Sequence, residues 1–492
     1  MAGAWGTPRR RSSALATAQP GAGRALAPGF AAGVLIAGSL AIAALTLLAP
    51  SSPSYDPFAW IVWGRELMPG AGGEPFGLSG GPSWKPLPVL FTAPFSLAGD
   101  AAPALWLLVA RTGLLLALAG AFALGRRLGG IVAGVVAAIA VLLLADVVSL
   151  AWRGASEPLL LATLLWAFER ELAGRRTLAF GLGVAAALIR PELLLFLAIY
   201  ALWRWPAAAA RERVALTVGL ASVVVLWIGV PALAGDPFAA SSTAHNPSTR
   251  TSAWSALRGD LGLTLAIVWA LACVGVALRP RAPAVRALAL SAIAWLTLLA
   301  VMAAAGYASP ARYGLPAAAC AAVLAGVGVA ALAQRRQRLA AGIVLAVCAG
   351  FAAQQLTELP DQVREGTAVA HAHDDLRAAV ARSGGAAAMQ RCALAGWVAV
   401  NHTTGSALVW ELHVSLDRVA RTMSRPGLLV RAPRSTATGG PPAVTLDAPV
   451  HSAPVAHAGP WEVLAVRSAG RLFPHACERR KASGSPRRIP NI

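Results

Sequence analysis

The residues best suited to chemistry in this sequence are charged side chains lodged in apolar surroundings, where each needs a polar cavity or a partner. Asp56, Lys85, Arg111, Glu157, Arg190 and Arg312 are the foremost of them. Lys85 lies in Trp84-Lys85-Pro86-Leu87-Pro88 and is, with Lys481, one of two lysines among 42 basic residues. Lysine is a compact point charge, and its presence in a chain so biased to arginine suits the binding of a phosphate. Arg111 falls well inside an apolar run. Arg190 and Arg312 stand beside proline, in Ile189-Arg190-Pro191-Glu192 and Ser309-Pro310-Ala311-Arg312-Tyr313. His245, in Thr243-Ala244-His245-Asn246-Pro247, is a weaker candidate, because a loop histidine is more often simply solvated. His371-Ala372-His373-Asp374-Asp375 has the spacing of metal ligands, but its place on an amphipathic helix argues against a metal. Asn401-His402-Thr403 matches a glycosylation acceptor, a pattern short enough to arise by chance.

The elements that must position these residues are membrane helices. The chain has 492 residues, 57% hydrophobic and 13% charged, whereas an ordinary globular domain is about a quarter charged. Apolar runs near the roughly 20-residue length that spans a hydrocarbon core recur through the first three quarters of the sequence. The net charge of +20 would suggest nucleic acid in a soluble protein. Here the arginines fall mostly in short loops, where they act as topology signals rather than as a nucleic-acid surface.

Arginine near span ends is retained on the cytoplasmic side. Arg9, Arg10, Arg11 and Arg24 therefore place the N-terminus inside, ahead of a first span at 29–49 that reads as a retained signal anchor. Further inside clusters are Arg126/Arg127, Arg170/Arg175/Arg176, Arg204/Arg211/Arg213, Arg279/Arg281/Arg286 and Arg335/Arg336/Arg338. Alternation between them predicts an all-α polytopic protein with about eleven transmembrane helices. It also leaves an extracytoplasmic C-terminal portion. The expected organisation is a disordered cytoplasmic tail at 1–28, a membrane domain at 29–356 with a long first outer loop at 50–103, a small mixed α/β domain at 357–480, and a disordered basic tail at 481–492. Within the outer loop, Asp56 to Leu67 suits a helix lying in the membrane interface. Segment 177–203 is too short for two ordinary spans, and its Arg190-Pro191-Glu192 centre predicts two short helices meeting near the outer side. In the C-terminal portion a helix runs to about Arg382, and Leu394–Val400, Ala407–Leu412 and Trp461–Arg467 read as strands. Cys273, Cys320 and Cys348 fall in spans as small apolar residues. Cys392 and Cys477 lie outside, where oxidising conditions would let them pair as a disulfide.

Sorting charges by side shows a bias. Of the acids ahead of the C-terminal portion, Glu169, Glu171 and Glu212 fall inside, while Asp56, Glu157, Glu192 and the rest gather toward the outer face. Exclusion of positive charge from outer loops explains the acids, but it does not explain Arg111, Arg190 and Arg312.

Five stretches in order resemble the GT-C superfamily of membrane glycosyltransferases, in its mannosyl- and aminoarabinosyl-transferase-like branch. They are Asp56 after the first span, Lys85-Pro86-Leu87-Pro88, Ser156-Glu157-Pro158, Arg190-Pro191-Glu192 and Arg312-Tyr313-Gly314-Leu315-Pro316. Relatives more often read Lys-Pro-Pro where Leu87 here separates the prolines. The resemblance, over about residues 29–335, implies a multi-pass enzyme of the cell membrane that transfers a sugar from a polyprenyl phosphate to an envelope glycan, lipid or protein acceptor, with inversion. It implies Asp56 as the general base, with Lys85 and Arg312, then Arg190 and Arg111, binding the donor phosphate. Glu157 and His245 would meet sugar or acceptor. Asp56 with Glu157 could also hold magnesium or manganese, since oxygen ligands suit these ions, and only some relatives use a metal. Two other classes fit part of the pattern: a transporter or lipid flippase, and a catalytically inactive scaffold.

Overall fold

The structure, a computed structural model, describes residues 28–69, 76–78, 81–245, 252–335, 338–395, 398–400, 404–420, 422–423, 427–432, 445–446, 450–468 and 487–488. Its first part is helical throughout: α1 (Pro28–Thr46), α2 (Tyr55–Leu67), α3 (Pro86–Phe95), α4 (Ala102–Gly129), α5 (Ile131–Leu142), α6 (Val147–Trp152) and α7 (Glu157–Leu172). There follow α8 (Arg176–Ala187), α9 (Leu193–Arg204), α10 (Ala210–Val224), α11 (Val230–Leu233), α12 (Ala239–Ala244), α13 (Ala253–Leu261), α14 (Ala266–Leu278), α15 (Pro283–Ala304) and α16 (Leu315–Gln334). The C-terminal part adds α17 (Arg338–Arg382), α18 (Ala386–Ala395) and α19 (Gly405–Leu412).

This is a membrane protein. Among the described residues five helical stretches are long and apolar enough to cross a bilayer: Gly29–Thr46, Pro86–Gly129, Ala210–Leu233, Pro283–Ala304 and Ala311–Gln334. The pair α13 and α14, bent by 84°, makes a sixth if counted as one span. Shorter apolar helices stand beside them, including α5 and α8. The two short helices around Arg190-Pro191-Glu192 are α8 and α9, separated where Pro191 interrupts the chain.

Helix α16 is the centre of the bundle, with 94% of its apolar window buried. Its sequence, Leu-Pro-Ala-Ala-Ala-Cys followed by alternating Ala, Val and Gly, has few large side chains, so neighbouring backbones approach closely. A Cβ added at Gly326 would lie 2.3 Å from the Ala133 carbonyl oxygen of α5, and one at Gly328 would lie 2.3 Å from the Leu271 carbonyl oxygen of α14. Dispersion contacts between close backbones hold such helices together in lipid, where no hydrophobic drive separates helix from solvent.

The C-terminal part contains a six-stranded sheet in the order β2-β1-β4-β7-β6-β8, formed by β1 (Val398–Val400), β2 (Val419–Ala420), β4 (Gly427–Arg431), β6 (Val450–Ala458), β7 (Trp461–Ser468) and β8 (Arg487–Arg488). β1 runs parallel to β2 and β4, whereas β4–β7, β6–β7 and β6–β8 are antiparallel. A separate pair joins β3 (Thr422–Met423) to β5 (Thr445–Leu446). The sheet is tied to α17 by the Trp461 indole, which donates to the Ala372 carbonyl at 2.6 Å.

Two local expectations are corrected. Ala407–Leu412 is not a strand but the body of α19, which buries Ala407 to Trp410 and Leu412. A short apolar run carries no period that separates helix from strand, and here packing on α2 decides. Leu394–Val400 is a strand only from Val398, as β1, because Leu394 and Ala395 close α18; helix α2 exists as expected, with Pro57 through Arg65 buried without a break.

Candidate active site

Four of the chemistry-bearing residues are placed by helix starts. Asp56 is in the first turn of α2 and is followed by Pro57; Lys85 caps α3 ahead of Pro86; Glu157 opens α7 ahead of Pro158; Arg312 lies in the 3₁₀ turn Ala311–Gly314 that leads into α16. Arg190 occupies the break before α9, beside Pro191. Proline fits the first turn of a helix because its missing N–H has no intrahelical acceptor there. The same prolines therefore end the preceding loops and aim these charges at one spot.

Glu157 is the hub. Its side chain is 2% exposed, and its Oε1 lies 3.0 Å from Arg190 NH2, 3.5 Å from Arg312 Nε and 3.8 Å from Lys85 Nζ. Lys85 also donates to Ser156 Oγ at 2.8 Å and faces the Trp60 ring at 5.0 Å. The Arg190 guanidinium lies 3.4 Å from the centroid of the Tyr313 ring. Arg312 extends the group outward, reaching Asp56 Oδ2 at 3.4 Å. Exposure rises along this line: Lys85 and Arg190 are buried, whereas Arg312 is 42% and Asp56 30% exposed.

In this cluster Lys85, Arg190 and Arg312 gather on Glu157, with Asp56 beside Arg312 and the Glu192 carboxylate near Arg190. Three cations converge on one oxygen of Glu157, and cations fixed in a water-poor site suit an incoming anion. Beside the cluster lies a cavity of about 490 Å³ between α7, α8, α9, α15 and α16. Its upper wall includes Leu161, one turn along from Glu157, and Leu193, three residues from Arg190. Phe196, Leu197 and Trp295 continue an almost wholly apolar lining. Trp295 also donates to the Tyr313 carbonyl at 2.8 Å, tying the cavity wall to the Arg312 turn.

Sequence-predicted residues outside the cluster have other partners. Arg111 donates to Thr46 Oγ1 at 2.9 Å and to the Trp152 carbonyl at 3.3 Å, and its guanidinium lies 4.2 Å from the Trp152 ring centroid. It thereby joins α1 and α6 to α4. His245 packs on Tyr307 with ring centroids 3.7 Å apart, and its Nδ1 lies 3.2 Å from the Ser241 carbonyl. His373 bonds Ser52 and Glu411. The pairing of Cys392 with Cys477 falls outside the described residues. Trp60 and Tyr313, which face the two buried cations, were not singled out as ligands of the site. An aromatic next to a predicted cation, as in Arg312-Tyr313, was the available signal.

A second charged group lies at the other end of α7. Arg127 binds Glu169 at 2.7 Å, Arg170 pairs with the same carboxylate, and Tyr200 donates to Glu171 at 2.6 Å. These residues belong to the side read as cytoplasmic, so the charges segregate to two ends of the bundle.

No protein-family profile and no curated protein sequence matches the chain. Among solved structures it is similar to ArnT from Cupriavidus metallidurans. The apo form aligns at a TM-score of 0.56 and 16% identity over 90% of this chain and 99% of that one. The form bound to undecaprenyl phosphate aligns at 0.55 and 15% identity with the same coverage. An Archaeoglobus fulgidus oligosaccharyltransferase, tethered to an acceptor peptide, aligns at 0.42 and 14% identity over 78% of this chain and 64% of that one. The chain has the fold of ArnT.

Proposed function

We propose that this protein is a membrane glycosyltransferase that moves a sugar from a polyprenyl-phosphate carrier to an acceptor at the extracytoplasmic face. The observation that carries the reading is the pairing of three cations gathered on one carboxylate oxygen with an apolar cavity beside them. An anionic headgroup on a long hydrocarbon tail needs both, and ArnT, whose fold this chain shares, binds undecaprenyl phosphate.

In this reading the donor phosphate binds beside Lys85 and Arg190, and its prenyl tail enters the cavity along Phe196 and Leu197. The sugar then lies on the solvent side, near Asp56 and Arg312. An acceptor hydroxyl attacks the anomeric carbon while Asp56 takes its proton, a general-base step that requires hydrogen-bond reach. The bond from the anomeric carbon to the phosphate oxygen breaks as the new glycosidic bond forms. The electron pair leaves with the polyprenyl phosphate, where Lys85, Arg190 and Arg312 stabilise the growing charge in a water-poor setting. One displacement inverts the anomeric centre.

Glu157 acts as the internal counterion that fixes the three cations. Its role as a metal ligand fits poorly, because Arg312 already bridges Asp56 and Glu157, and a divalent ion there would face three positive side chains. A transporter would hold its charges near the bilayer midplane. These five instead collect at helix starts on one face. The proposed topology keeps about eleven spans, by treating the shorter apolar helices and the start of α17 as membrane segments, with the N-terminus cytoplasmic and the C-terminal portion outside.

The test is transfer of labelled sugar from polyprenyl-phosphate mannose, glucose and aminoarabinose to envelope extract by the purified chain in nanodiscs. Transfer from one donor that is lost in Asp56→Asn and Lys85→Ala is expected. Absence of transfer from all three, or unchanged transfer by both variants, overturns the reading. Reporter fusions after residues 75 and 400 that appear on the cytoplasmic side overturn the orientation.

A further inference from the structure

The helix that carries Asp56 is gripped from the far end of the chain. Ser406, fully buried in α19, donates through Oγ to the Tyr55 carbonyl at 2.7 Å, one residue before Asp56. His373 of α17 meets Ser52 Oγ with Nδ1 at 3.0 Å and packs edge-on against Phe58 with ring centroids 4.8 Å apart. Contacts therefore fall four residues before Asp56, one before and two after.

The grip is itself braced. His373 Nε2 lies 3.1 Å from Glu411 Oε1, and Arg377 donates three hydrogen bonds of 3.1–3.3 Å to the same carboxylate. Burial would raise the Glu411 pKa, but the bonds from His373 and Arg377 outweigh it and hold the carboxyl below its usual range. An ionised Glu411 accepts from Nε2–H, which leaves Nδ1 free to accept from Ser52. Further along α2, Arg65 donates to the Val414 carbonyl at 2.9 Å and the Trp410 carbonyl at 3.3 Å. Ser406 and His373 meet the start of α2 and Arg65 holds its end, so the helix is fixed to the C-terminal part along its length.

We propose that α17 and α19 form a positioning clamp, in which Ser406 and His373 fix the first turn of α2 and so hold the Asp56 carboxylate within reach of the acceptor. The inference rests on Asp56 acting as the base. Ser406 and His373 are positioning residues: they touch neither donor nor acceptor and act through Asp56. A displacement of about 1 Å at a reacting group can cost on the order of 100-fold in rate, while the donor phosphate, held by other helices, still binds.

The experiment compares the full chain in nanodiscs with Ser406→Ala and, removing the second contact from the opposite side, Ser52→Ala. Amide hydrogen exchange at Phe58 to Trp60 and steady-state kinetics with the polyprenyl-phosphate sugars above are measured on each. Faster exchange at these amides, a kcat reduced about 10- to 100-fold and a donor KM within about twofold of the parent support the clamp. Unchanged exchange in both variants overturns it, as does faster exchange with unchanged kcat, or a loss confined to donor KM. Asp56→Asn separates the two claims: if it turns over normally the base assignment fails, whereas if it is inactive and both serine variants are normal the clamp alone fails. Should no donor turn over, the functional reading fails and the exchange data alone decide the grip.

Discussion

Replacing Lys85 with methionine tests the anion site with little damage to the fold. The substitution keeps a long unbranched chain against Trp60 and removes one of the three cations gathered on Glu157. At an effective dielectric of about 20, a unit charge about 4 Å from a phosphate contributes about 4 kcal/mol. That corresponds to about a 1,000-fold change in affinity. Stability should change less than the 3–5 kcal/mol typical of breaking a buried pair, because Glu157 keeps Arg190 at 3.0 Å and Arg312 at 3.5 Å. Binding of undecaprenyl phosphate to purified protein in nanodiscs, read by native mass spectrometry beside a thermal melt, separates the two effects. A Kd raised by two to three orders of magnitude with a nearly unchanged melting temperature is expected. A Kd within about threefold of the parent, in folded protein, would refute the charge argument.

Other perturbations probe different parts of the account. Glu157→Gln removes the negative charge that the three cations share and leaves Asp56 and Glu192 near them, so inorganic phosphate should bind more tightly while the melting temperature drops; weaker phosphate binding by folded protein would contradict this. Burial lifts the Glu66 carboxyl at the end of α2 to about 8, against its bond from the Gly77 amide. The folded state therefore holds a proton that the unfolded chain has released, and stability should fall as pH rises from about 4.5 to about 8. Glu66→Gln should flatten that slope in thermal melts, and an unchanged slope would exclude Glu66 as its source. Gly326→Val should destabilise the bundle by roughly 1–3 kcal/mol, since even a Cβ there would lie 2.3 Å from the Ala133 carbonyl; a melting temperature equal to the parent's would show that α5 and α16 can part freely.

How much was readable beforehand depended on whether position was set locally. Lys85-Pro86, Glu157-Pro158, Arg190-Pro191 and Asp56-Pro57 each couple a charge to a residue that starts or breaks a helix, so their gathering at helix starts on one face follows from short-range chemistry. The two short helices around Arg190 were legible for the same reason. Arg111 was not, because a guanidinium inside an apolar run can serve any polar neighbour, and here Thr46 and Trp152 supply it. The roles of Ser52, His373 and Ser406 lay beyond reach, since their contacts join residues separated by more than 300 positions. The spacing His371-Ala372-His373 resembles that of metal ligands, although its helix argued against a metal, and nothing in it disclosed that His373 turns to Ser52 and Glu411. Burial of α2 on every side was hidden too, because the sequence does not reveal that α19 covers the face turned from the bundle.

The most direct measurement is a structure of the chain in nanodiscs with undecaprenyl phosphate bound. The account predicts the phosphate within hydrogen-bond distance of Lys85 and Arg190, the tail lying along Phe196 and Leu197, and the Asp56 carboxylate facing the open side of the headgroup. A phosphate bound instead among Arg127, Arg170 and Glu169 at the other end of the bundle, with the cavity beside Leu197 empty of lipid, would contradict it.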